Sequence, residues 1–275
     1  MSAARVTASR VERVRAPFGR RAAPITAREV HGAYVVLRCA DPEGPRPEPG
    51  QFYMLSAAER WGGGQDERPF LPRAFSVMLA PSDTDELHFL LEDVGPGTHR
   101  LRELELGDAL HLVGPLGNGF AQPRDGRRAL LVGGGVGIAP LAIWQEQGEK
   151  IAYAKQPLLG FRDAAHAAGA QLLAGALVAT DDGSVGHQGL VTDLLSAELD
   201  RDPRVEVYAC GPPGMLEAVR ALCSARAVPA QLALESGMAC GFGACFGCVV
   251  PTRGGYLRLC VDGPVLDAAQ LERVQ

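Results

Sequence analysis

Over residues 22–122 the apolar positions fall in short runs, each closed by Gly, Pro or Asp: Tyr34–Ala40, Gln51–Ser56, Arg73–Leu79, Leu87–Val94 and Ala109–Val113. Short strands at this spacing predict a small antiparallel barrel. Pro42 to Gly50 and Trp61 to Arg68 read as loops by composition, and a helix is expected to start at Thr98 and run to Leu104. From Arg128 the pattern changes. An apolar strand, a glycine turn and a helix with Pro140 in its first turn are followed by strands at Gln156–Phe161, Ala174–Thr180, Val205–Cys210 and Gln231–Glu235. Helical stretches near Arg162–Leu173, at Leu190–Leu199 and ending near Ala227 separate them. That alternation predicts a parallel sheet with right-handed crossovers.

The expected architecture is therefore a β-barrel plus an α/β domain, with a small C-terminal subdomain. The predicted divisions are a flexible arginine-rich extension over 1–21, the barrel over 22–122, the α/β domain over 123–229 and the subdomain over 230–275. Length permits two ordinary domains and an appendage. Hydrophobic residues at 47% and charged residues at 21% fit a globular chain, and a net charge of −5 gives no reason to expect nucleic-acid binding. No apolar run approaches the ~20 residues that cross a bilayer, so no membrane role is expected. Seven cysteines without an export signal point to a reducing compartment, with cytoplasm as the default.

Four of those cysteines, Cys240, Cys245, Cys248 and Cys260, are spaced C-x4-C-x2-C-x11-C, the plant-type pattern for a 2Fe–2S cluster. Gly241, Gly243 and Gly247 interleave with the first three, as a tightly bent wrapping loop requires. A zinc site would favour two C-x2-C knuckles, and only Cys245 and Cys248 make one. Zinc and structural thiols stay open as the bland alternatives.

Two glycine-rich strand ends, Gly133–Pro140 (GGGVGIAP) and Tyr208–Met215 (YACGPPGM), mark a crevice where a parallel sheet accepts a dinucleotide. The candidates there are Gly133, Gly134, Gly135, Gly137, Cys210, Gly211 and Pro212. The first turn departs from G-x-G-x-x-G, with Pro140 in the third slot. In the barrel, Arg73, Ala74, Phe75 and Ser76 place a cation, an aromatic face and a hydroxyl on one strand. The turn Gly95-Pro96-Gly97-Thr98 offers backbone amides one strand later. Cys39 and Cys223 read as core residues, Asp181 and Asp182 as turn residues, and the six histidines form no ligand pattern.

In order, RxFS, GxGT, GPLGNGF (114–120), GGGVGIAP and CGPPGM resemble the ferredoxin–NADP reductase superfamily. With the four-cysteine loop, LLGFR (158–162) and ATDDGSVGHQGLVTD (179–193), the chain from about residue 22 resembles the electron-transfer subunit of dihydroorotate dehydrogenase type B. The resemblance implies FAD on the barrel, NAD as acceptor on the α/β domain and one 2Fe–2S cluster on the four cysteines. It implies flavin contacts at Arg73 to Ser76, at Leu90, Leu91 and Glu92, and at Gly97 and Thr98, with Arg68 as a rival to Arg73. It further implies an FMN-containing dihydroorotate-oxidising partner, a heterotetramer of two copies of each chain, and a place in pyrimidine biosynthesis. No side chain of this chain is expected to act as a catalytic acid or base. The alternatives are a flavin and iron–sulfur NAD(P)H reductase subunit acting on ferredoxin or sulfur compounds, and a non-enzymatic zinc-binding interaction protein. No clear arginine pair follows the third strand to hold a 2′-phosphate, which favours NAD over NADP.

Overall fold

The computed structural model describes residues 19–62, 69–124, 126–147 and 156–274. Most of the arginine-rich extension, the greater part of the Trp61–Arg68 loop and the rival Arg68 lie outside the described residues. Six strands close the barrel: β1 (Arg21–His31), β2 (Tyr34–Ala40), β3 (Phe52–Ala57), β4 (Arg73–Leu79), β5 (Glu86–Glu92) and β6 (Ala109–Leu116). Their order around it is β1-β2-β5-β4-β3-β6. The sequence reading missed β1, whose Pro24 and outward Arg and Glu residues hide its pairing with both β2 and β6. The expected extension over 1–21 therefore ends earlier: Arg21 opens β1 and holds buried Asp41 at 2.7 Å. The short helix α1 (Pro96–Arg102) starts two residues before its expected position, because Thr98 Oγ1 accepts from the Val94 and Gly95 N–H groups and closes the turn.

The second unit is a seven-stranded sheet. Its parallel strands are β7 (Arg128–Gly134), β8 (Leu158–Phe161), β9 (Leu177–Thr180), β10 (His187–Gln188), β11 (Val205–Cys210) and β12 (Ala230–Ala233). Helices α2 (Ala139–Gln147), α3 (Ala164–Ala167), α4 (Val191–Arg201) and α5 (Pro213–Ala225) connect them. Helix α3 is only one turn long and continues as a 3-10 segment, Ala168–Leu172, in place of the long helix expected over 162–173. The 3-10 segment packs closely on the barrel: a methyl group at Gly169 would stand 2.9 Å from the Tyr34 ring.

The chain then leaves the sheet, forms the cysteine loop and the hairpin β13 (Val249–Thr252) with β14 (Gly255–Arg258), and returns. Strand β15 (Val265–Asp267) pairs antiparallel with β12. The expected boundary at 230 thus cuts a sheet: the cysteine segment is an excursion between β12 and its neighbour β15, the edge strand. Two contacts pin it to the barrel. Asn118 Nδ2 donates to Val261 O at 3.1 Å, and Gly241, at φ +78, rests where a side chain would meet Met54 at 2.4 Å. One core cluster runs from Tyr34, Val36, Met78 and Leu90 of the barrel into Leu131, Ile138 and Trp144 of the sheet unit, so the two units meet across packed apolar surface.

Candidate functional site

Where the barrel meets the sheet, a cavity of about 460 Å³ opens between two walls. The barrel wall carries Arg73, Ala74, Phe75, Ser76, Leu90, Glu92 and Thr98. The opposite wall is Val136, Gly137, Ala139 and Pro140 at the first glycine turn, together with the segment Leu234–Met238. Strand alternation sorts the β5 candidates: Leu90 and Glu92 line the cavity, while Leu91 turns into the barrel core. Gly97 gives the Arg73 guanidinium its place, because a methyl group there would stand 2.6 Å from Arg73 Nε. Arg73 Nη1 also donates to Leu71 O at 2.6 Å, and its guanidinium lies over the Trp61 ring. An elongated apolar cleft with one fixed guanidinium fits a flavin nucleotide. Of the amides in the Gly95–Thr98 turn, that of Gly95 is occupied by Thr98 Oγ1, which also accepts from the Val94 N–H outside it.

Sequence reading did not find the Leu234–Met238 wall. Nothing local marks it, since β12 and the sheet's closure bring it to the cavity. Its Glu235 opens onto the cavity, and burial pushes the carboxyl above the ordinary range.

A second cavity, about 380 Å³, lies at the carboxyl ends of the strands. Gly134, Gly135 and Pro212 line it, along with Tyr34, Glu92, Arg162, His166 and Asp181. Gly135 has a φ of +55 and stands clear, with only the Tyr34 hydroxyl within 4 Å of the place a side chain would take. The other glycine candidates pack closely, and of them Gly137 also lines the first cavity. A methyl group at Gly137 would meet Gly211 Cα at 2.6 Å, one at Gly211 would meet Met215, and Gly133 backs onto Ile138 and Leu159. Cys210 is 2% exposed and lines neither cavity, and burial pushes its thiol up.

The four loop cysteines are free thiols and fall into two pairs. Cys248 Sγ and Cys260 Sγ lie 3.2 Å apart, both buried. Burial and the Cys248 thiol push Cys260 up to about 12. Burial raises Cys240, but the N–H groups of Cys245, Phe242 and Ala244 and the Cys245 thiol outweigh it and bring Cys240 down to about 6. The Gly247 N–H meets Cys245 Sγ at 3.4 Å. Among the described residues no group of three or more His, Cys, Asp or Glu side chains is placed to hold one metal ion. Two thiol pairs wrapped in backbone N–H groups match a two-iron cluster, with one pair for each metal.

Barrel, parallel sheet and cysteine excursion together define a flavin reductase of the ferredoxin–NADP reductase type with an iron–sulfur appendage. A family profile described as the iron–sulfur cluster binding domain of dihydroorotate dehydrogenase B matches residues 235–272. The electron transfer subunit of dihydroorotate dehydrogenase B (NAD(+)) from Caldanaerobacter subterraneus is 37% identical over 236 residues, 83% of this chain and 89% of that protein. Its counterpart from Geobacillus kaustophilus is 38% identical over 234 residues, 82% of this chain and 86% of that one. The chain belongs to the family of dihydroorotate dehydrogenase B electron transfer subunits. Among solved structures, an NADH-dependent reduced ferredoxin-NADP oxidoreductase superposes with a TM-score of 0.77 at 25% identity, over 91% of this chain and 90% of that one.

Proposed function

We propose that this chain is the electron-transfer component of an NAD-dependent dihydroorotate dehydrogenase, linking oxidation of dihydroorotate in a partner subunit to reduction of NAD. One observation carries the reading. Leu234–Met238 walls the first cavity, and Cys240 follows two residues later on a loop that Gly241 seats against Met54 of the barrel. A flavin in that cavity and a cluster on that loop therefore share a wall, the arrangement a short electron path demands. When bound, FAD exchanges electron pairs with a nicotinamide and single electrons with a 2Fe–2S cluster.

The residues of the chain do the holding. Arg73 supplies a planar cation for a phosphate, Phe75 and Leu90 supply apolar faces, and Ser76 supplies a hydroxyl, while the Thr98 hydroxyl is spent on its own turn, donating to Gly95 O. Cys240 with Cys245, and Cys248 with Cys260, take the two irons. Gly135 and Pro212 leave room for a dinucleotide, and Asp181 brings a carboxylate that suits a ribose diol and repels a 2′-phosphate. No side chain is assigned a proton transfer.

The partner is an FMN-containing subunit, the assembly has two copies of each chain, and the setting is pyrimidine synthesis in the cytoplasm. No helix among the described residues is long and apolar enough to cross a membrane. Co-expression with a dihydroorotate-oxidising subunit tests the reading. The purified pair should reduce NAD with dihydroorotate, whereas the partner alone should not. A pair that oxidises dihydroorotate but never reduces NAD contradicts it.

A further inference from the structure

Glu92 is the one residue, among those described, that lines both cavities. It ends β5 of the barrel, yet its Oε1 accepts from Arg162 Nη2 at 3.2 Å and lies 3.2 Å from His166 Nε2, both in the sheet unit. Arg162 closes β8 and is the sole Arg or Lys among the described residues lining the second cavity. Its side chain is 65% exposed, with Asp163 Oδ2 3.6 Å from its Nε as a second carboxylate and the His166 ring beside it, Nε2 at 2.5 Å from Nη2 and Nδ1 at 3.3 Å from Nε, so leaving Glu92 means leaving His166 as well. Across the same cavity stands Gly135, open and left-handed, and beneath it the Tyr34 hydroxyl, which is buried and has no hydrogen-bond partner. An unpaired buried hydroxyl costs stability unless something pairs with it. Burial pushes that phenol upward, so it remains a neutral donor.

We infer that Arg162 is the docking cation for the pyrophosphate of the dinucleotide, parked on Glu92 in the free protein and transferred to phosphate when the ligand enters. This rests on the reading of the second cavity as the NAD site. A dinucleotide pyrophosphate carries two negative charges, and a guanidinium fork matches it better than it matches one carboxylate oxygen. Leaving Glu92 also takes the cation away from a carboxylate on the wall of the flavin cavity, with only His166 Nε2 still 3.2 Å from it, so occupancy of one cavity alters the charge in the other.

The alternative role for Arg162 is a latch that only ties the two units together through Glu92. The two roles separate by sign. If the contact is a latch, breaking it from either side has the same effect. If Glu92 competes with phosphate, removing the arginine weakens binding and removing the carboxylate strengthens it.

The test is calorimetric titration of the cofactor-loaded protein with ADP-ribose, which carries the pyrophosphate without a reducible ring, and with adenosine as a phosphate-free control. Arg162→Ala should weaken ADP-ribose binding about 10- to 100-fold and flatten its salt dependence, leaving adenosine unchanged. Arg162→Lys should recover part of the loss, and Glu92→Gln should tighten ADP-ribose binding. Unchanged ADP-ribose affinity in Arg162→Ala, or shifts of the same sign in Arg162→Ala and Glu92→Gln, would overturn the assignment. A wild-type protein that binds neither NADH nor ADP-ribose would instead remove the NAD reading itself, and this inference with it.

Discussion

At the scale of single residues, the cysteines divide by surroundings rather than by sequence. Cys39 and Cys223 sit in apolar cores, where burial pushes both thiols up to about 12. Cys240 sits among backbone N–H groups that favour its thiolate. Cys248→Ser should therefore leave a folded flavoprotein whose iron content falls well below the wild-type level, checked by iron and sulfide assay beside the visible spectrum. Full retention of iron would show that Cys248 is not a ligand.

A second residue sets an acid limit. Arg220 grips the Glu217 carboxylate at 2.7 Å, the Val274 N–H adds another bond, and Glu217 is held down at about 2. A carboxyl with a folded pKa below its unfolded value contributes stability above about pH 4.3 and loses it as pH falls towards 2. With much of the side chain in solvent, that contribution is at most about 1 kcal/mol. Denaturant melts should separate wild type from Glu217→Gln at neutral pH and merge them near pH 2. An equal gap at both pH values would sink this assignment.

At the scale of elements, the two glycine turns matter as one object. β7 and β11 are paired up to Gly133 and Cys210, and beyond them Gly137 approaches Gly211 so closely that a methyl group would stand 2.6 Å from its Cα, which shapes the crevice between the cavities. Gly137→Ala should cost about 1–3 kcal/mol through overpacking and weaken NADH binding, read from a thermal melt and a titration. Wild-type values for both would show that the turns have slack.

Legibility followed locality. The cysteine loop could be read because its ligands and bending glycines lie within one short stretch, and the RxFS strand because its chemistry is contiguous. The role of each glycine could not be read: GGGVGIAP shows room for a phosphate, yet Gly133 serves packing, Gly137 packs on Gly211 and lines the first cavity, and Gly134 and Gly135 face the second. β1 was hidden by Pro24 and its polar outer face. β15 was hidden because three residues that return to a sheet after a long excursion leave no periodic trace. Arg162, His166 and Glu92 meet only because barrel and sheet pack together, so no window of sequence contains them.

At the scale of the whole molecule, the cysteine excursion is placed by the sheet rather than tethered as a separate module. β12 delivers the chain to the cavity wall, the loop rests on the barrel, and β15 takes the chain back. Flavin cavity, cysteine loop and nucleotide cavity thus share residues: Leu234–Met238 joins the first two and Glu92 joins the first and third. The most direct test of the relay is an anaerobic titration of the purified, cofactor-loaded protein with NADH, followed by visible and electron paramagnetic resonance spectra. The account predicts uptake of about three electrons per chain at full reduction, two into the flavin and one into the cluster, with the cluster signal growing as the flavin bleaches. A flavin that bleaches while the cluster stays oxidised, at a cluster potential within reach of NADH, would contradict it.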